Sequence, residues 1–208
     1  MPRQIFHANA AWVHSQRGVS LVIVLMILVI VSIVGVSGIQ ISMMGERSAR
    51  NDRDAQIAWQ AGEAALLDAE FDIEGQPSTS STKRNTVFAL GKTDTSKFVS
   101  GCGTSGQSQG LCALNITGKA AWLTVDFTAT GNSAPTTAFG TFTGRDFPSG
   151  AKGLQPAKPP RYVIEAIPDP ELARTAKPSD MKYIYRITAM GFGPNAETQA
   201  VLQTLYRN

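Results

Sequence analysis

The hydrophobic pattern begins as a block rather than a period. Gly18 to Gly45 reads GVSLVIVLMILVIVSIVGVSGIQISMMG, without one charged residue. Its apolar heart, Val19 to Ile41, is long enough to cross the hydrocarbon core of a bilayer as a helix. The pattern then becomes periodic. In the segment from Glu46 to Glu74, Ala55, Trp59, Gly62, Leu66, Ala69 and Ile73 recur at spacings of 4, 3, 4, 3 and 4, a single apolar stripe on a helix. Asp52, Gln56, Gln60 and Glu63 fall on other faces. Helix formers dominate and no Pro follows Val19 until Pro77, so the pattern predicts one helix from Val19 to Glu74. At 1.5 Å per residue it would be roughly 80 Å long, and Gly75 and Pro77 would end it. Gly35, Gly38 and Gly45 interrupt it, each costing about 1 kcal/mol against Ala. They mark bends, or places where another membrane helix packs closely.

Beyond the helix the pattern loosens. Residues 75–118 are dominated by Ser, Thr, Gly and Lys and read as loops, with a short strand near Thr86 to Leu90. WLTVDFT, Trp122 to Thr128, alternates apolar and polar positions and predicts a half-buried strand. Phe139 and Phe142 extend an irregular sheet edge, and the Gly and Pro clusters of residues 144–160 read as a long loop. Three stronger strands close the chain: Arg161 to Ile167, Lys182 to Met190 and Thr198 to Arg207. GFGPNAE joins the last two as a hairpin connector, and Pro168, Pro170 and Pro178 confine residues 168–180 to a crossing loop. The expected fold class is α+β: a long N-terminal helix, membrane-spanning in its first half, packed on a C-terminal antiparallel sheet that covers the helix stripe. The expected boundaries are a leader at 1–18, a transmembrane half at 19–44, an extramembrane half at 45–74 and a globular β domain at 75–208.

Charge sets the orientation. Arg3 and Arg17 precede the span with no acid beside them, while both signs mix in ERSARNDRD after it. The positive-inside bias therefore predicts a cytoplasmic N-terminus and an external C-terminal domain, periplasmic behind an inner membrane. A cleaved secretory signal is the competing reading, but the apolar run exceeds a usual signal core. The whole chain carries +3, of which Arg3 and Arg17 supply +2, leaving +1 after Gly18. Such balance leaves no electrostatic footprint for nucleic acid. Cys102 and Cys112, the two cysteines, flank a Gly/Ser-rich loop. In an oxidising compartment a disulfide is expected, contributing roughly 2–3 kcal/mol; the competing reading is two unrelated thiols.

Candidate chemistry is sparse. Both histidines, His7 and His14, lie before the span, so the remainder lacks Ser-His and Cys-His nucleophilic designs and the common His-bearing zinc sites. GCGTSG lacks the Lys-Ser/Thr ending of a phosphate loop. The alternating acids Asp68, Glu70, Asp72 and Glu74 lack EF-hand spacing and read as a solvated helix end. Tyr162, Tyr183, Tyr185, Phe192 and Tyr206 read as cross-strand core partners rather than a binding face. No catalytic residue, metal or cofactor is expected.

The junction Gln16-Arg17-Gly18 before the apolar run resembles the class III leader of type IV prepilins. The resemblance implies cleavage by a prepilin peptidase between Gly18 and Val19, and N-methylation of Val19. Val19 stands where the family usually has Phe, and Ile23 where it usually has Glu as the fifth mature residue. The motif GxxGxQxSMMGERxARNxRDxxxAWQAxEAALxDAE, from Gly35 to Glu70, then resembles the N-terminal region of PilX-type minor pilins, through Gly35, Gln40, Glu46, Arg47, Asn51, Arg53, Asp54, Ala58, Gln60, Glu63, Ala64, Ala65 and Glu70. The ending YRITAMGFGPNAETQAVLQTLYR is similar to the same family's last strands. That subfamily commonly lacks the Glu, in keeping with Ile23.

The resemblance implies a structural minor pilin, placed at or near the fibre tip and contributing to the start of assembly. It implies subunit packing through Ile23, Gly35, Gly38, Glu46, Arg47, Arg53 and Trp59. The implied partners are other minor pilins, the major pilin, a large tip adhesin, the prepilin peptidase and, before assembly, the inner membrane. Two readings stand beside it: a minor pseudopilin of type II secretion, and a membrane-anchored periplasmic enzyme or binding module. A tethered enzyme more often shows a flexible linker after its span than a helix continuous with it.

Overall fold

A computed structural model describes residues 19–89, 92–150, 153–171 and 181–208. The expected leader, Leu90 and most of the Pro-rich crossing loop lie outside the described residues. The chain forms two compact units, divided between Ala49 and Arg50.

One helix, α1, runs from Val19 to Glu74. In the first unit all of its residues are exposed. Its ending follows from sequence. Gly75 adopts a left-handed conformation at φ +73°, Gln76 N donates to Phe71 O at 2.8 Å and Gly75 N to Asp72 O at 3.3 Å. This paired arrangement satisfies the last carbonyls, and glycine alone meets no Cβ penalty there.

In the second unit the last turns of α1 lie on a five-stranded sheet: β1 (Leu111–Cys112), β2 (Thr137–Ala138), β3 (Arg161–Pro168), β4 (Tyr183–Phe192) and β5 (Gln199–Tyr206). The order is β1-β3-β4-β5, with β2 also pairing β3. β3, β4 and β5 form an antiparallel meander. β1 runs parallel to β3, with Leu111 opposite Ile164, so the sheet is mixed rather than purely antiparallel. Gly191 and Phe192, expected in the hairpin connector, belong to β4, and Gly193 N donates to Thr198 O at 2.7 Å to close the turn.

The face of the sheet toward α1 carries Tyr162 and Ile164 of β3 with Tyr185, Ile187 and Ala189 of β4, packed with Ala65, Ala69 and Ile73. Gly191 permits the approach, because a Cβ there would run into the backbone of α1 at Ala58 O and Gly62 N. The buried seam of the helix is Ala58, Ala61, Gly62, Ala65, Asp68, Ala69, Asp72 and Ile73. It is rotated from the predicted stripe: Ala55 and Trp59 are exposed and Leu66 is half-buried. Small residues win the seam because they let helix and sheet backbones come together.

The other face of β3 packs Val163 against Cys102, Cys112, Ala121 and Phe127. The predicted strand over Trp122 to Thr128 is not formed. Ala121–Leu123 is a 3₁₀ turn and Leu123 faces solvent. Thr124 Oγ1 donates to Ala121 O at 2.9 Å, and Asp126 Oδ1 accepts from Thr128 N at 2.8 Å. Such local side-chain bonds compete with a strand ladder. The expected strand at Thr86 to Leu90 is likewise replaced by turns over Asn85 to Phe88, which bury Val87 and Phe88.

Candidate functional site: the helix surface and its buried anchors

The residues expected to pack between subunits all lie on α1. Val19 begins the helix; Ile23 is about half exposed, and a Cβ at Gly35 or Gly38 would meet nothing within 4 Å. Glu46 and Arg47 are exposed on the same helix, in the first unit. In the second unit Arg53 pairs with Asp54 at 3.5 Å, and the Trp59 indole N–H donates to Glu63 at 2.8 Å. None of these side chains belongs to a hydrophobic core cluster. Within each unit they are exposed on α1. Gly18 lies outside the described residues. Cys102 and Cys112 form a disulfide, placed far along the chain from those residues.

What the helix turns inward is charge. Asp72 is buried and accepts from Arg84 twice over: Nε lies 3.0 Å from each carboxylate oxygen and Nη2 lies 2.6 Å from Oδ2. The Tyr162 hydroxyl adds a third donor at 2.9 Å. Arg84 is itself fully buried, and its Nη1 donates to Gln107 O at 3.0 Å and Gln109 O at 2.6 Å. Its guanidinium lies 3.7 Å from the centroid of the Phe142 ring. Each nitrogen of the Arg84 guanidinium thus has an acceptor and its flat face lies over an aromatic ring, which is what a charge needs in a dry site. Burial, with the Asp72 carboxylate beside it, pushes the Tyr162 hydroxyl well above its usual range.

One turn earlier, Asp68 accepts from Gly140 N at 2.7 Å and Thr143 Oγ1 at 2.6 Å. Arg145 approaches it at 3.5 Å and stacks on Phe71 and Phe139. Desolvation raises the carboxyl of Asp68 above its ordinary range, against the lowering pull of Thr143, Gly140 and Arg145.

The expectation that the run from Asp68 to Glu74 is a solvated helix end is therefore corrected for Asp68 and Asp72, which are buried anchors. They hold the segment between α1 and β3 against the helix. A sequence signal existed: Asp68 and Asp72 stand four apart, in register with Ala58, Ala61, Ala65 and Ala69. Arg84 and Arg145, in loops, carried no signal of burial. Among the described residues, no group of three or more His, Cys, Asp or Glu side chains is placed to hold a metal ion.

The helix surface and the domain behind it agree with the comparison against known families. Residues 46–208 match the type IV pilus assembly protein PilX C-terminal domain, and residues 17–67 match the PilX N-terminal domain. The chain belongs to the PilX family. It is a type IV pilus minor pilin, a structural component of the pilus rather than a member of an enzyme family. No curated protein and no solved structure matches it. One helix among the described residues, α1, is long and apolar enough to cross a membrane, and it fits the one-pass anchor of a PilX protein with its domain on the C-terminal side.

Proposed function

We propose that this PilX protein helps to start pilus assembly and sits at or near the fibre tip, and that its mature form begins at N-methylated Val19 after a peptidase removes residues 1–18. Before assembly it is held in the inner membrane, N-terminus inward, with its domain in the periplasm. The observation that carries the reading is the first unit: a helix with every residue exposed and no carboxylate from Val19 to Gly45. A charge in such a surface would need a partner in any apolar fibre core. Ile23, standing where pilins usually carry Glu, needs none from a subunit above. The amine of Val19 can still receive the Glu of a subunit added below. The chain is thereby equipped to have followers without a predecessor. Its partners are then the other minor pilins and the major pilin, with a tip adhesin as the outermost.

The test is labelled imaging of sheared pili from cells carrying the wild type or Ile23→Glu, with mass spectrometry of the mature N-terminus. Expected are label at one fibre end, fewer pili in the deletion strain and a methylated Val19. Label spread along the shafts with unchanged pilus number overturns the tip reading. An N-terminus at Met1 overturns the leader reading.

A further inference from the structure

We propose that Arg161 and the cavity it borders form a binding site for a carboxylate, supplied by a small acid or by an acidic side chain of another protein. Arg161 opens β3 and is only 7% exposed. Its Nε donates to Thr136 Oγ1 at 2.5 Å and its Nη2 to Thr136 O at 2.7 Å. Those two bonds use one edge of the planar guanidinium. The end-on edge, Nη1 with the second hydrogen of Nη2, has no protein acceptor among the described residues. The other buried or half-buried guanidiniums among the described residues of this domain have acids: Arg84 has Asp72, Arg145 has Asp68 and Arg186 has Glu165. Arg161 has none within 4 Å among the described residues. Burial alone lowers its affinity for its proton, with no neighbouring charge to offset it.

The free edge of this guanidinium opens on a cavity rather than into packed protein, so a carboxylate arriving there meets a charge that no acid of the described chain already neutralises. The space for one is present. Arg161 borders a cavity of about 520 Å³ whose walls include Ser105, Gly106, Gln109, Asn132 and Thr141. Apart from Arg161 these walls are uncharged and mix polar side chains with Gly131 and Ala138. Ser105 and Asn132 offer a hydroxyl and an amide donor, while the Thr141 hydroxyl donates to Ala138 O and the Gln109 amide to Ala134 O and Thr136 O, and no acid competes. The end-on edge of a guanidinium matches the two oxygens of a carboxylate with parallel N–H···O bonds. The site lies within the second unit and does not rest on the pilus assignment.

The experiment is titration calorimetry on the full chain in detergent micelles, at constant ionic strength. The probes are succinate and two capped tripeptides, Gly-Glu-Gly and Gly-Gln-Gly. Expected is saturable binding of succinate or of the Glu peptide, with the Gln peptide silent. Binding of succinate alone identifies a free small acid as the source, and binding of the Glu peptide identifies a side chain. Asn132→Asp, at an exposed position of the wall, sets a rival carboxylate in the cavity. It should weaken binding by roughly ten-fold or more, the equivalent of one charge-assisted hydrogen bond, with an unchanged melting temperature. Arg161→Lys keeps the charge but loses the fork and should weaken it similarly. Absence of saturable binding by both carboxylate probes overturns the proposal. So does binding that Asn132→Asp leaves unaltered, which decides the matter even where Arg161→Lys fails to fold.

Discussion

The meander β3–β4–β5 and the segment between α1 and β3 are neighbours in one domain, yet they are held by different means. In the meander, eight cross-strand pairs join β3 to β4 and eight join β4 to β5, so the backbone groups between strands satisfy one another. Among its described residues, the segment from Gly75 to Pro160 contains only two two-residue strands and three short 3₁₀ turns. Its backbone groups find partners one at a time, as Gln107 O and Gln109 O do on Arg84. What replaces a ladder there is buried charge and a covalent staple: Asp72 with Arg84, Asp68 with Thr143 and Gly140, and the Cys102–Cys112 bridge. Irregular backbone can be ordered when side chains take over the hydrogen bonding that regular structure otherwise supplies.

The largest effect should come from breaking that replacement at its centre. Asp72→Ala strands the buried guanidinium of Arg84 and should cost about 3–5 kcal/mol, read by urea denaturation of the full chain in detergent. Hydrogen exchange sharpens the comparison: amides of residues 84–88 and 103–113 should lose protection before those of β4 and β5. Equal loss in both regions would show that the segment and the meander are one cooperative unit.

Replacing both cysteines by Ser should cost roughly 2–3 kcal/mol, since a short Gly- and Ser-rich loop then regains its freedom in the unfolded chain. A mobility change on reduction, together with a lower urea midpoint, checks it. On the meander side, Gly191→Ala sets a methyl against the backbone of α1 at Ala58 and Gly62. Overpacking of that kind should cost about 1–3 kcal/mol and loosen the helix seam rather than residues 103–113. The melting temperature and exchange at Ala58 and Ala61 measure it.

The smallest effect is a pH dependence. Asp68 has a folded pKa raised above the ordinary 3.8, chiefly by desolvation. A proton therefore binds this residue more tightly in the folded chain than in the unfolded one. The stability that arises from this is fully present below 3.8 and is lost as pH rises through the raised folded value. The melting temperature of the wild type relative to Asp68→Asn should accordingly improve as pH falls toward 3.8. A difference that is flat with pH would show that Thr143, Gly140 and Arg145 cancel the desolvation.

Legibility follows the same division. β3, β4 and β5 lie within two residues of their expected ends, because alternation and the proline and glycine boundaries are local. α1 runs over the expected span. The strand expected from Trp122 to Thr128 failed because alternation was present without a partner strand, and Asp126 and Thr124 took the local hydrogen bonds instead. The stripe was misphased because Trp59 was counted as inward. A Trp at the seam would hold α1 away from Gly191, and Ala58 and Gly62 take that place.

The sequence by itself determined the apolar block, the helix and its end, the last three strands and the family, because each rests on residues close together in the chain. Only the tertiary structure decided which acids of the helix are buried, which arginines meet them and which arginine is left without one. Asp72 and Arg84 are 12 residues apart, Asp68 and Thr143 are 75 apart. No period links such pairs. Their burial depends on how the whole domain excludes water, and a charge reads the same in sequence whether it faces solvent or a partner.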